Sequence, residues 1–292
     1  SDLARGHGPH EHIVRAVQVG VRDGFAAGLA AARRSFEELR VGSPARALRH
    51  LFFAERGSRT AGKARDVNQV GVIGSGTMGS GIAISLATAG YDVVLLDTKP
   101  DALAAGMKRL RETIDGAVAK GRMSADRGPA AIERVGAAGE YGALSRADLV
   151  IEAVFESMAV KREVFGALDK HCKPGAILAT NTSTLDVDAI AAVTARRTDV
   201  LGMHFFSPAN IMRLVEIVRG NATSAEALAT ALAVNKRMGK LGIVVGNCFG
   251  FVGNRMLYAY GRENQSMLLE GATPQQIDGA LKRFGMAMGP HA

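Results

Sequence analysis

Gly74, Gly76 and Gly79 fall in G-x-G-x-x-G spacing between a short apolar run that ends at Ile73 and a run of small and apolar residues that reaches Ala89-Gly90. A second β-rich run, Asp92 to Leu96, then closes on Asp97. The glycines alone constrain little; the order strand, glycines, helix, strand, acid admits few folds. Gly74 permits the tight turn out of the strand, Gly76 lets a pyrophosphate reach bare backbone, and Gly79 lets the helix pack closely on the sheet. The phosphates then face the free N–H groups and positive dipole end of a helix starting near Thr77. At Asp97 a carboxylate accepts hydrogen bonds from ribose hydroxyls and repels a 2′-phosphate, which favours NAD over NADP; Lys99 nearby argues weakly the other way. The plain alternative is a glycine-rich turn in another α/β protein.

The rest of the 292-residue chain has to be consistent with that site. With 47% hydrophobic residues it buries a real core, in one large or two smaller domains. Lysine plus arginine exceed aspartate plus glutamate by 36 − 28 = 8, which suits an anionic partner or simply a soluble surface. Aromatics are few and no basic run interleaves with them, so nucleic acid is not expected as a partner and an acidic small molecule is. Cys172 and Cys248 stand apart without metal or disulfide spacing, so no metal is expected and a reducing, cytoplasmic setting is. No run of about 18 apolar residues exists for a membrane span, and no signal peptide is expected. The chain starts without methionine and stops just after Gly289-Pro290, which reads as a piece of a longer protein.

Taken in order, Ser1 to His12 reads as a mobile tail bearing His7, His10 and His12. Apolar residues from Ile13 to Leu39 recur every three or four positions, the stripe of one long amphipathic helix. Asp23, Glu37 and Glu38 argue against reading it as a transit peptide. Ser43 and Pro44 open a second helix as cap and first residue, ending at Arg56-Gly57; Ser58 to Asn68 reads as a linker. After Asp97 a helix runs from Pro100 to Lys120, and a short one begins at Ser124. Strands are expected at Asp148 to Val154, Ala176 to Thr180, Val200 to Met203, Met212 to Val218 and Leu241 to Val245. Helices at Ser157 to His171 and Ser224 to Met238 alternate with them, so the sheet is doubly wound. Beyond Asn247 only helices are expected, at Phe251 to Glu270 and Pro274 to Phe284. A domain boundary falls near Gly246.

In an open parallel sheet, ligands bind at the carboxyl ends of the strands. Those ends carry Glu156, then Asn181, Thr182 and Ser183, then His204 and Ser207. A lone histidine in an apolar neighbourhood is commonly a core residue satisfied by a carbonyl. Glu216 lies inside Arg213-Leu-Val-Glu-Ile-Val218 and, if buried, requires a partner; on a solvent-facing edge strand it requires none. Paired with His204, it would fix the tautomer and stabilise the imidazolium that forms when the ring takes a proton.

Together GSGTMG at Gly74 to Gly79, EAVFE at Glu152 to Glu156 followed by Lys161, NTST at Asn181 to Thr184, HFFSP at His204 to Pro208, Glu216, and GFVGNRML at Gly250 to Leu257 resemble 3-hydroxyacyl-CoA dehydrogenase. The likeness covers about Val67 to Gly289, and Ile13 to Arg65 resembles the linker helices that follow the hydratase/isomerase part of multifunctional β-oxidation enzymes. It implies an α/β Rossmann-type doubly wound sheet: residues 1–66 as an N-terminal helical linker segment, 67–246 as the NAD-binding domain, and 247–292 as the start of a truncated helical substrate and dimerisation domain. It implies NAD contacts at Gly74, Gly76, Thr77, Met78, Gly79, Asp97, Val154, Phe155, Glu156, Lys161, Ser183 and Ser207. His204 and Glu216 would be the catalytic pair, and Ser183 with Asn254 would hold the substrate's reacting oxygen. Phe155 stands where the family usually has proline, and Ser207 where asparagine is usual.

The expected activity is oxidation of (3S)-3-hydroxyacyl-CoA by NAD, in a homo-oligomer or as part of a larger multifunctional chain. The rival reading is a non-catalytic NAD-binding fragment bearing the motifs. A dehydrogenase of small free hydroxy acids is a third, and the His204 and Glu216 pair argues against the lysine base usual there.

Overall fold

The computed structural model describes residues 8–57 and 62–292. Three helices come first: α1 (Pro9–Asp23), α2 (Phe25–Val41) and α3 (Ser43–Gly57). The single helix expected over Ile13 to Leu39 is broken at Gly24, whose φ of 91° suits glycine and few other residues. α1 and α2 cross so closely that a Cβ on Gly28 would lie 2.6 Å from the Cα of Gly20. An i, i+3, i+4 stripe is the same for one helix or for two, so the periodicity hid the turn. His10 and His12 belong to α1 rather than to a mobile tail, and His7 lies outside the described residues. Ser43 is itself the first residue of α3, one position inside its expected cap role.

Of the expected linker, residues 58–61 lie outside the described residues. The rest, 62–68, has no regular structure yet is fastened down. The Arg65 guanidinium lies 2.7 Å from Asp199 and 2.9 Å from Glu226, and Val67 is buried.

From there strands and helices alternate: β1 (Gln69–Ile73), α4 (Thr77–Thr88), β2 (Asp92–Leu96), α5 (Pro100–Ala119), α6 (Arg127–Glu133), β3 (Val135–Ala138), β4 (Leu149–Glu152), α7 (Met158–His171), β5 (Ile177–Thr180), α8 (Val187–Ala191) and β6 (Val200–Phe205). Next come β7 (Leu214–Arg219), α9 (Ala225–Arg237), β8 (Leu241–Gly246), α10 (Gly253–Leu269) and α11 (Pro274–Phe284). One sheet holds all eight strands in the order β3-β2-β1-β4-β5-β6-β7-β8. β1 to β6 pair parallel, β7 runs antiparallel to β6, and β8 is parallel to β7. Chain order reverses between β1 and β4, the switch point at which this class of sheet opens its ligand crevice.

Helices cover both faces, so the central strands are continuous apolar runs: Val70, Val72, Leu149, Ile151, Ile177 and Leu201 are wholly buried. The doubly wound sheet is as expected. The four-residue β3 was not anticipated: Val135-Gly-Ala-Ala138 has one β-branched residue and no alternation, and only pairing with β2 defines it.

The described residues divide into two compact units, one of residues 8–56 with 258–292, the other of 57–257. In the first, Thr273 caps α11 with a reciprocal bond to Gln276. The second keeps residues 247–257 with the sheet, past the Gly246 boundary read from the sequence.

Candidate active site

The glycine turn has the shape a dinucleotide needs. A Cβ on Gly74 would lie 2.6 Å from the Ala153 carbonyl oxygen, and one on Gly79 1.7 Å from that of Gly74; at Gly76 it would meet nothing within 4 Å. Two glycines are therefore forced by close backbone, and the third leaves an open approach for a phosphate. α4 begins at the exposed Thr77 with no side chain capping it, so its first N–H groups are available to an anion. Half-buried Met78 packs against the core.

Asp97 closes β2 beside this turn. Its Oδ2 accepts the backbone N–H and the hydroxyl of Ser75, and its Oδ1 accepts the Lys99 N–H. Burial works to raise its pKa, but the Ser75 and Lys99 bonds outweigh it and hold the carboxyl below its usual range. Ser75 sits between two of the fingerprint glycines, and its small polar side chain was the only hint of this role.

At the end of β4, Glu152 is fully buried and accepts the Lys161 ammonium at 2.7 and 3.0 Å, the Thr180 hydroxyl at 2.8 Å and the Val154 N–H at 2.7 Å. Lys161 also stands 3.3 Å from Glu156. Glu156 in turn accepts the Thr182 hydroxyl at 2.6 Å and the Ser183 N–H at 2.8 Å. Burial tends to raise the Glu156 pKa; the Thr182 bond and the Lys161 charge together bring it below the ordinary value. Lys161 is therefore buried among carboxylates, whereas Phe155 beside them is 80% exposed. Val154 is half-buried and Ser207, beyond β6, is exposed.

His204 and Glu216 are register partners across the antiparallel β6–β7 pair, so their side chains rise on the same face. His204 Nδ1 lies 2.8 Å from Glu216 Oε2, and both residues are buried. β8 lies beyond β7, so Glu216 is not on a solvent-facing edge. Its other oxygen accepts the N–H groups of Val252, at 3.1 Å, and Gly253, at 2.9 Å. Burial raises the Glu216 pKa, and the bonds from His204, Gly253 and Val252 overcome that and keep it low. An ionised carboxylate only accepts, so Nδ1 carries the proton and Nε2 is left as the basic nitrogen. Phe206 packs on the imidazole with ring centroids 4.6 Å apart, and Phe251 with centroids 5.7 Å apart.

Bonds link the two halves of the site. Asn254, the residue after Gly253, donates its amide to the Ser183 carbonyl at 3.4 Å, and the Ser183 N–H is the one held by Glu156. Asn181 Oδ1 accepts the Phe205 N–H at 2.8 Å, tying the end of β5 to the residue after His204. A separate cavity of about 760 Å³ lies between α4, α5 and the loop after β6, where Asn210 and Ile211 line it beside Lys120, Arg122, Arg237 and Lys240.

Sheet, glycine turn and histidine–carboxylate pair define a dinucleotide-dependent dehydrogenase of the doubly wound class. The sequence profile of the 3-hydroxyacyl-CoA dehydrogenase NAD-binding domain matches residues 69–248, and that of the 3-hydroxyacyl-CoA dehydrogenase C-terminal domain matches 250–292. The chain belongs to the 3-hydroxyacyl-CoA dehydrogenase family, and its sheet domain is an NAD-binding domain.

It is 41% identical over 290 residues to the peroxisomal bifunctional enzyme of Homo sapiens, covering 96% of this chain and 40% of that protein. With the glyoxysomal fatty acid beta-oxidation multifunctional protein MFP-a of Cucumis sativus it shares 38% over 284 residues, 95% of this chain and 39% of the relative. The chain thus spans about 40% of the length of such relatives. Among solved structures, (S)-3-hydroxybutyryl-CoA dehydrogenase PaaH1 from Ralstonia eutropha superposes with a TM-score of 0.75 at 35% identity, over 77% of this chain and 80% of that one.

Proposed function

We propose that this chain oxidises a (3S)-3-hydroxyacyl-CoA to the 3-oxoacyl-CoA, as a dehydrogenase of fatty-acid β-oxidation. The observation that carries the reading is the buried His204–Glu216 pair, with Nδ1 held at 2.8 Å and Nε2 left to act as a base. His204 accepts the alcohol proton at Nε2 while Glu216, kept ionised, stabilises the imidazolium. Ser183 and Asn254 supply donors to the reacting oxygen as it becomes a carbonyl. Bound NAD would supply the acceptor for the hydride that leaves the same carbon.

Gly74, Gly76, Thr77, Met78 and Gly79 would hold the pyrophosphate, and Asp97 the adenosine ribose. Val154, Phe155, Glu156, Ser183 and Ser207 would line the nicotinamide half, and Lys161 would serve it from behind through Glu156. The separate cationic cavity suits a substrate with a phosphorylated carrier: Lys120 and Arg122 line it with no side-chain partner among the described residues.

We assign residues 67–246 to the NAD domain, 247–292 to the beginning of the substrate domain, and 1–66 to a helical linker segment of a larger multifunctional chain. Exposed Val21, Phe25, Phe36 and Phe53 support self-association of this piece, to be read by light scattering, where a monodisperse monomer would count against it. No described helix is long and apolar enough to cross a membrane. Cytoplasmic residence is our reading from the isolated cysteines; the human and cucumber relatives are peroxisomal and glyoxysomal proteins, and cell fractionation decides between the compartments.

The decisive assay mixes the chain with NAD and (3S)-3-hydroxybutyryl-CoA and follows NADH absorbance. Substrate-dependent NADH formation is expected. NADH binding without any turnover would leave the non-catalytic fragment as the correct account.

A further inference from the structure

Phe251 is the one non-glycine among the described residues with a positive φ, 48°, and it follows Gly250 at 70°. A bulky residue in this region is an outlier that persists only where surrounding structure enforces it, and such outliers gather at functional sites. In this turn the enforcement is visible. The Phe251 ring is 1% exposed and packed with Val187, Val218 and Val245, its N–H donates to the Cys248 carbonyl at 3.0 Å, and Cys248 Sγ donates to its carbonyl at 3.4 Å.

The outcome of this turn is a pair of successive backbone donors, Val252 N–H and Gly253 N–H, converging on Glu216 Oε1. Consecutive N–H groups following left-handed residues form a concavity that takes an anion. In this chain the anion is the carboxylate that holds His204. The Phe251 ring meanwhile stands against the imidazole, and Gly253 leaves its Cβ position only 3.0 Å from the Phe206 ring, so the packing has no slack.

We infer that Phe251 is a positioning residue of the His204–Glu216 pair: its left-handed main chain aims two N–H groups at Glu216, and its ring fixes the imidazole. This rests on the dehydrogenase reading for its catalytic consequence, but its geometric content is tested without turnover.

The test uses the whole chain with ¹⁵N-labelled histidine and reads the downfield Nδ1–H resonance of His204 by NMR, with His204→Gln for assignment. Phe251→Val resists positive φ and is expected to lose or broaden that resonance, to lower kcat about tenfold or more, and to keep the NADH dissociation constant and KM within about twofold. Phe251→Gly takes the left-handed turn freely and lacks the ring. It is expected to keep the resonance and still lose kcat, and it stands in if Phe251→Val does not fold. An unchanged resonance in Phe251→Val, or its loss in Phe251→Gly, overturns the inference. Absence of turnover in the parent chain with the resonance present would instead refute the proposed activity and leave the positioning role standing.

Discussion

Ser75 is joined to Asp97 twice, through its backbone N–H at 3.0 Å and its hydroxyl at 2.8 Å, both to the same oxygen, Oδ2. The acid that should discriminate between dinucleotides is therefore held by the glycine turn itself, with its orientation fixed before any ligand arrives. A 2′-phosphate would face that fixed negative charge and forfeit the ribose hydrogen bond, worth about 1.5 to 3 kcal/mol to a charged acceptor. NADH should bind at least about tenfold more tightly than NADPH. Equal dissociation constants in fluorescence titrations would remove Asp97 from this role.

Replacing His204 by Gln removes the base and should lower turnover by roughly 100-fold or more, the usual scale of general base catalysis. NADH affinity should hardly change. Glu216→Gln should slow the reaction as well, since a neutral amide no longer stabilises the imidazolium. Parent rates in either variant would mean that another pair does the chemistry.

The buried Glu152–Lys161 pair gives a stability prediction. Glu152→Leu strands an ammonium in the interior, and breaking such a pair costs about 3 to 5 kcal/mol. Glu156, 3.3 Å away, remains as a second partner and should keep the loss near the lower figure. The double replacement Glu152→Leu with Lys161→Met removes both charges and should recover much of the loss in urea denaturation. A double variant no more stable than the single one would show that the charges themselves are needed.

Asp97, Glu156 and Glu216 all have pKa values below their ordinary ones in the folded chain. A group whose folded pKa is depressed adds stability above its unfolded pKa, near 4, and loses it as pH falls through the folded value. These three groups should leave the melting temperature flat from neutrality down to about pH 5 and drive it down below about pH 4. Glu216→Gln should make the acid limb shallower. A melting temperature that falls only on the alkaline side would contradict depressed pKa values at these three carboxylates.

Much of this arrangement was legible in the chain. Gly74 to Asp97 declared its turn because Gly74 and Gly79 answer a local steric demand and Gly76 leaves the backbone open, and Ser224, where a helix is expected to begin, accepts the Ala227 N–H at the start of α9. Strand ends gave Glu156, Ser183 and His204 because an open parallel sheet gathers its polar residues there. What stayed hidden depends on distant partners. Nothing around Val135 to Ala138 says strand until β2 lies alongside, and nothing around Gly250 to Gly253 says left-handed phenylalanine until Glu216 is present to receive the N–H groups. Lys161, which the resemblance implies as a cofactor contact, lies buried against Glu152 and Glu156, a depth that its place in the chain does not reveal.

The antiparallel turn of β7 back along β6 has an evolutionary consequence. His204 and Glu216 face each other through ladder register, and a slip of one residue would send the carboxylate to the other side of the sheet. Their meeting does not depend on how long the intervening segment is. Residues inserted between Phe206 and Arg213 would remodel the rim where Asn210 and Ile211 border the basic cavity, and the acid–base pair would stay where the ladder puts it. The rim can therefore change in length and composition while the His204–Glu216 contact is preserved by the ladder.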